Sequence, residues 1–487
     1  MAANADKFDL IVIGSGPGGY KSAVTAAHLG ARVALIEKGL PGGTCLNQGC
    51  IPKKTLLHLA TLIEDVNALN GRGLIGEVRG DFKAAMAHKD SVVASMRENF
   101  PFWLKRLGIR VFNGHGRFRD ARSVIVEPAP GSAVNNTPQI IHAERIIIAT
   151  GAVPRQHPAC PTDGDRILSS SDFMLGLNSL PDSVLCVGGG AIGTELGFLL
   201  HQFGSRVTIV AKSDRLLPKS AIPERAADML ERKFRRVGID VRKNMTVTRA
   251  DVDTAGVTVT FSDSSQERYE RILVAIGRRP LTEGLDLEKA GVEQDANGFI
   301  ITTEYLETTA HGVYAVGDVK AGPMTANAAL HDAKIAATNA ITGNQHRNNY
   351  HRVPIVIDSA LEIAAVGLTE ELADDAGFEP DAARANFAGS AKARARHDYE
   401  GFIEVVHDEE TGQLLGGCIV GPEAGEQIHM LAAACQSDRG LWFFRDISYT
   451  HPSWCEELEN AINPCTSEFT KSGKTIFRPG IYFSAYD

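Results

Sequence analysis

A chain of 487 residues has room for about three domains, and 44% hydrophobic with 22% charged residues is the make-up of an ordinary globular protein. A net charge of −9 offers no basic field, so neither nucleic acid nor an anionic membrane surface is expected as a partner. No run of about 18 apolar residues argues for a membrane span, and MAANADKF lacks a charged leader, so the expected location is a reducing cytoplasm where most of the eight cysteines stay thiols.

FDLIVI at 8–13 reads as a buried strand, followed by GSGPGG at 14–19, a helix over 19–29 and a second strand, RVALIE, at 32–37. Strand, glycine turn and crossover helix make a βαβ unit in which Gly14, Gly16 and Gly19 let the backbone approach a pyrophosphate at a helix N-terminus. Glu37, 23 residues after Gly14, stands where a carboxylate accepts hydrogen bonds from ribose hydroxyls.

GGTCLNQGCIPKK at 42–54 then sets Cys45 and Cys50 five residues apart. Five residues of regular helix rise about 7.5 Å, beyond the ~4.4–6.8 Å between Cα atoms that a disulfide tolerates. A bond needs an irregular turn, and Gly49 gives the freedom for one. Pro52 suits the first turn of the helix that follows, and a thiol at a helix N-terminus is the more reactive for it. A redox disulfide is the favoured reading. The alternatives are a metal site, with His58 the only further ligand nearby, and two inert thiols; no metal is expected.

Residues 51–107 are helical in pattern, and 109–150 read as strands and turns that close on RIIIATG. The opening grammar returns at 184–211, with strand SVLCV, loop GGGAIG, a helix to about Phe203 and strand RVTIVA. The offset of 174 residues between Gly14 and Gly188 is too long for a solenoid and indicates two nucleotide-binding domains in tandem. Counting 23 residues from Gly188, the first of Gly188, Gly190 and Gly193, gives Ala211 rather than an acid, with Lys212 next and Arg215 beyond. The usual NAD determinant is therefore missing. The cations either suit the extra phosphate of NADP or are solvated loop charges. RILVAIGRRP at 271–280, VYAVGD at 313–318 and a helix over about 325–342 follow, and 350–463 mixes strands with a helix near 424–437. From Asn463 the chain reads as a polar, aromatic tail.

GSGPGGY with Glu37, GGTCLNQGCIPKK, ATG at 149–151, GGGAIG, GRRP, VYAVGD and HPSWCEE at 451–457 stand in the order typical of class I flavoprotein disulfide reductases. The resemblance covers residues 8–463 and is nearest to the dihydrolipoamide dehydrogenase branch, through GPGGYKSA, GTCLNQGCIP, VYAVGDVKAGPM and LLGGCIVGPEAGE. It implies an α/β fold with two Rossmann-like domains and a C-terminal α+β dimerisation domain. The implied division is 1–155 and 281–349 for FAD, 156–280 for NAD(P), 350–463 for the interface, and 464–487 as an extension. FAD would lie along Gly14, Gly16, Gly19, Glu37, Thr44, Lys54, Gly116, Thr150, Gly151, Asp318 and Ala326. NAD, with NADP not excluded, would lie along Gly188, Gly190, Ile192, Gly193, Lys212, Gly277 and Arg278.

The resemblance also implies an ion pair between Lys54 and Glu195 beside the flavin, and a His451–Glu456 dyad that reaches the disulfide of the other subunit in a homodimer. A substrate dithiol would attack Cys45 while His451 takes its proton, and Cys50 would pass the electron pair to FAD and on to NAD(P)+. Glutathione-reducing relatives place arginines in the first helix where this chain has Val24 and Thr25, which favours an uncharged or protein-tethered lipoyl substrate. The competing readings are an NADPH-dependent reductase of another small disulfide or metal ion, and a redox-sensing flavoprotein scaffold. Cys455 is expected to be a small packed residue, and the tail, with Cys465, Phe477, Tyr482, Phe483 and Tyr486, to cap the dimer or dock the lipoyl carrier.

Overall fold

The computed structural model describes residues 7–128, 137–218, 222–437 and 439–472, with side chains as far as Thr466. Apolar runs flanked by glycine form parallel strands buried on both faces, as such runs must. Lys7–Ile13 lies between Val33–Glu37 and Gln139–Ile148, and the parallel sheet extends outward to Arg110–Asp120 on one side and Val313–Ala315 on the other. Past Asn113 the strand Arg110–Asp120 turns to pair antiparallel with Ser123–Pro128, which returns to Gln139–Ile148. The helices Pro17–His28 and Ala326–Thr342 pack with this sheet, their alanines facing its core.

A second parallel sheet runs in the order Asp240–Arg242, Arg206–Val210, Ser183–Val187, Arg271–Val274 and Ile167–Ser169. Its first four strands follow the pattern of the first sheet, but its outer strand Ile167–Ser169 precedes the others in the chain whereas Val313–Ala315 follows them. In both sheets the glycine loop leaves the central strand, where neighbouring connections diverge to opposite sides and open a crevice. A three-stranded antiparallel sheet, Val247–Asp253, Gly256–Phe261 and Gln266–Tyr269, is attached to the second unit.

The last unit is a five-stranded antiparallel sheet in the order Ile355–Asp358, Glu362–Gly367, Leu414–Val420, Phe402–Asp408, Pro380–Asn386. It is covered by the helices Ala424–Ala434 and Glu456–Ser472. The last helix runs through Asn463, where the sequence suggested that a tail begins. The apolar face made by Leu458, Ala461 and Ile462 is buried and carries the helix onward through Pro464. Residues 473–487, including Phe477, Tyr482, Phe483 and Tyr486, lie outside the described residues. Among the described residues no helix is long and apolar enough to cross a membrane.

Candidate active site

One continuous cleft of about 2170 Å³ joins the two glycine loops, the cysteine pair and the edge of the antiparallel unit. Ordinary small-molecule pockets hold about 300–1,000 Å³, so this cleft has room for two dinucleotides. Cys45 and Cys50 are disulfide-bonded within it, their Cα atoms 4.6 Å apart. The irregular turn that the spacing demands is at Gly49, where the short helix Gly43–Gln48 stops and Cys50–Ala68 starts. A Cβ on Gly49 would stand 2.9 Å from the Thr44 carbonyl oxygen, so the chain could not fold back on itself with a larger residue there. Asn47 fixes the preceding loop by donating to the carbonyls of Pro41 and Gly43, each at 2.9 Å.

The ion pair below the disulfide differs from the one expected. Lys53, not Lys54, faces Glu195, with Nζ 2.6 Å from Oε2. Lys54 instead bonds Asp358, 2.5 Å away on the first strand of the antiparallel unit. Adjacent helical residues point about 100° apart, so two neighbouring lysines cannot both meet one carboxylate. Which one does is set by the packing of Cys50–Ala68 against Ala191–Phe203. The two pairs are nevertheless joined, because the Asp358 N–H donates to Glu195 Oε1 at 3.1 Å. Glu195 is 1% exposed, and burial pushes its carboxyl up against the opposing pull of Lys53.

At the first loop, Glu37 is held by the N–H and hydroxyl of Ser15, at 2.9 and 2.6 Å, and by the Gly39 N–H at 2.7 Å. Gly14 takes φ +102°, and a Cβ there would lie 2.4 Å from the Ala149 carbonyl oxygen. Gly16, Glu37, Thr44, Lys54, Gly116, Thr150, Gly151, Asp318 and Ala326 all line the cleft with Gly14. Gly19 does not. Its missing Cβ makes room for the Gly14 carbonyl, which would sit 1.8 Å from it. Thr150 donates to the Leu281 carbonyl, tying the two halves of this unit together.

Asp318 sits in a one-turn helix held in place by Asp332, which accepts the Gly317 N–H at 3.0 Å and the Tyr350 hydroxyl at 2.9 Å. Burial raises the Asp318 carboxyl, and Arg278 Nε, 3.8 Å away, only partly offsets it. The Arg278 guanidinium is in turn lowered by its own burial.

The second loop repeats the first. Gly188 takes φ +122°, a Cβ on it would lie 2.3 Å from the Ala275 carbonyl oxygen, and Gly193 leaves space for the Gly188 carbonyl. Gly188, Gly190, Ile192, Lys212, Gly277 and Arg278 line the cleft, while Gly193, like Gly19, is a packing position.

His451 and Glu456 form a dyad, Nδ1 to Oε1 2.8 Å, and Glu456 also accepts the Ser453 N–H at 2.6 Å. These two bonds, the backbone one first, hold the Glu456 carboxyl below its usual range. The His451 side chain is 72% exposed in the single chain and does not line the cleft that holds Cys45 and Cys50. Cys455 beside it is half-buried, and burial raises its thiol.

Comparison with known proteins adds two family matches. Residues 8–333 match the pyridine nucleotide-disulphide oxidoreductase family, and 353–462 match the dimerisation domain of that family. The chain belongs to the pyridine nucleotide-disulphide oxidoreductases. It is similar to the dihydrolipoyl dehydrogenase of Thermus scotoductus, 37% identical over 93% of this chain and 96% of that one, and to the mitochondrial dihydrolipoyl dehydrogenase of Pisum sativum, 33% identical over 95% and 92%. Among solved structures, LpdA of Mycobacterium tuberculosis superposes with a TM-score of 0.87 at 27% identity, covering 93% of this chain and 99% of that one. The HOCl-induced flavoprotein disulfide reductase RclA of Escherichia coli, as its Cu(II) complex, gives 0.82 at 30%, covering 94% and 99%.

As a flavoprotein disulfide oxidoreductase the chain uses FAD and a nicotinamide nucleotide, and its residues fit both. Open space faces the Cβ positions of Gly151, on the turn after Gln139–Ile148, and of Gly190, on the second loop, and the helix that begins at Ala326 opens its N-terminus to the cleft. Ser15, Lys53, Met324, Asp358 and Glu362 also line the oxidoreductase's cleft but were not singled out from the sequence. Ser15 lies within the glycine motif and was legible there. Asp358, 304 residues from Lys54, becomes a neighbour only through folding.

Proposed function

We propose that this enzyme is a dihydrolipoamide dehydrogenase, oxidising a dihydrolipoyl dithiol carried on a protein and passing the electron pair to a nicotinamide nucleotide. The observation that carries it is the Cys45–Cys50 disulfide straddling a helix break inside the cleft shared by both nucleotide loops. Val24, at a position where glutathione-reducing relatives carry an arginine, is 5% exposed and packs in the core, so this helix offers no cation there for a charged disulfide.

Cys45 accepts the attack of a substrate thiolate, forming a mixed disulfide and releasing Cys50 as thiolate. The second substrate thiolate then displaces Cys45, so that the substrate leaves oxidised and both cysteines are reduced. His451 takes the proton of the attacking thiol, with Glu456 on Nδ1 fixing the tautomer that leaves Nε2 free to accept, and the second thiol's proton goes to Cys45 as it leaves. Because the dyad is exposed and outside its own chain's cleft, we assign it to the disulfide of a second copy in a homodimer, which the dimerisation domain supports. Lys53, Glu195, Lys54 and Asp358 hold charge in the cleft on and against the helix that starts at Cys50, where they would face the flavin. FAD would be held by the cleft residues between Glu37 and Asp318 and would supply the two-electron carrier between dithiol and nicotinamide. Six further cysteines remain thiols, which suits a reducing compartment such as the cytoplasm.

Steady-state oxidation of free dihydrolipoamide tests the reading: turnover well above about one per second is expected, falling to background in Cys45→Ser and Cys50→Ser. Slower turnover in the intact enzyme, with another disulfide reduced faster, would overturn it.

A further inference from the structure

We propose that the second loop selects a 2′-phosphorylated nicotinamide dinucleotide and that Lys212 holds the extra phosphate. This rests on the oxidoreductase reading above and fixes its coenzyme. The chain carries its own control, since its two glycine loops share one geometry. In the first, Glu37 ends the second strand, anchored by Ser15 and Gly39 with its oxygens at the cleft. In the second, the matching residue is Ala211, 2% exposed.

The difference extends to the residue that would anchor an acid. Gly189 stands where the first loop has Ser15, and a Cβ on it would lie 2.9 Å from the Ala211 Cβ and 2.8 Å from Leu216 Cδ2. Acid and hydroxyl donor are replaced together by close apolar packing, which removes the carboxylate that would accept from a bare ribose.

Lys212 takes the place beside it, exposed and lining the cleft together with Ser213. Arg215 is engaged elsewhere. Its Nη2 donates to the Ile222 carbonyl at 2.9 Å and its Nε to Leu216, while Ser213 Oγ donates to the Arg215 carbonyl at 2.7 Å. Arg215 therefore stiffens the turn that presents Lys212. Nearby cations are also committed: Lys243 to Glu231 at 2.9 Å, and Arg242 to Asp240 and Glu267, each at 2.7 Å. Asp214 is exposed but does not line the cleft. The third glycine does not bear on the choice, because the Gly188 carbonyl 1.9 Å from its would-be Cβ already explains it.

The test is calorimetry on the FAD-loaded enzyme with adenosine 2′,5′-bisphosphate against adenosine 5′-monophosphate. A charge-assisted phosphate contact corresponds to about tenfold tighter binding of the bisphosphate or more. That preference should shrink as salt rises from about 0.05 to 0.5 M. Lys212→Ala should bring the two affinities together, and Lys212→Arg should restore the gap. Equal or tighter binding of the monophosphate, or an unchanged ratio in Lys212→Ala, overturns the proposal. Bisphosphate preference without dihydrolipoamide oxidation would sink only the substrate reading. Dihydrolipoamide oxidation with monophosphate preference would sink only this one.

Discussion

The four charges beneath the disulfide show how finely side-chain direction matters. Both lysines follow the second cysteine, yet Lys53 neutralises a carboxylate that is 1% exposed while Lys54, 55% exposed, meets a partner at the cleft wall. Removing one member of a buried pair strands the other, so Lys53→Met is expected to lower unfolding free energy by about 3–5 kcal/mol. Lys54→Met, at an exposed pair, should cost below about 1 kcal/mol. Urea melts of the two variants check this, and equal losses would return the buried pair to Lys54. For the dyad, His451→Gln is expected to lower dithiol turnover by about 10²–10⁴ while leaving flavin reduction by the nicotinamide nucleotide intact, as read by stopped-flow absorbance. Loss of both half-reactions would remove the histidine from the thiol step.

At the scale of single elements, each strand–loop–helix unit depends on two backbone contacts that any side chain would block. A Cβ at Gly19 would meet the Gly14 carbonyl oxygen at 1.8 Å, and one at Gly193 the Gly188 carbonyl oxygen at 1.9 Å. Because the units have separate sheets, the damage should separate too. Gly19→Ala is expected to yield protein without bound flavin. Gly193→Ala should stay yellow but bind nicotinamide nucleotide more weakly, measurable by the absorbance at the flavin band and by nucleotide titration. Flavin loss in both variants would mean that the units do not fold independently. The helix break at Gly49 belongs to the same class: the sequence shows that a regular helix cannot join Cys45 to Cys50, and the structure shows the interruption that does.

Over the whole molecule, the buried cysteines outside the redox pair set an alkaline limit. Burial pushes the thiols of Cys160 to about 11 and of Cys186 and Cys435 to about 12, against 9.0 when exposed. Above pH 9 the unfolded chain has released protons that the folded chain keeps. Stability is therefore full below pH 9 and falls as pH rises toward 11–12. Denaturant midpoints at pH 8, 9.5 and 10.5 should decline in that order, and a flat profile would show those thiols to be accessible. The same burial should leave them unreactive to thiol reagents in the native state, while Cys45 and Cys50 label after reduction.

The sequence by itself determined the two nucleotide-binding units and favoured the disulfide, because strand, glycine turn and close cysteine spacing are local constraints, whereas the His451–Glu456 pair was legible only through the family resemblance. It also showed that Ala211 and Lys212 stand where an acid is usual. Only the tertiary structure decided which lysine meets Glu195, that Asp358 and Glu362 from the last unit wall the cleft, and that Arg215 is spent on its own turn. Those outcomes depend on helix rotation and on approach between residues hundreds of positions apart. No periodicity along the chain records either one.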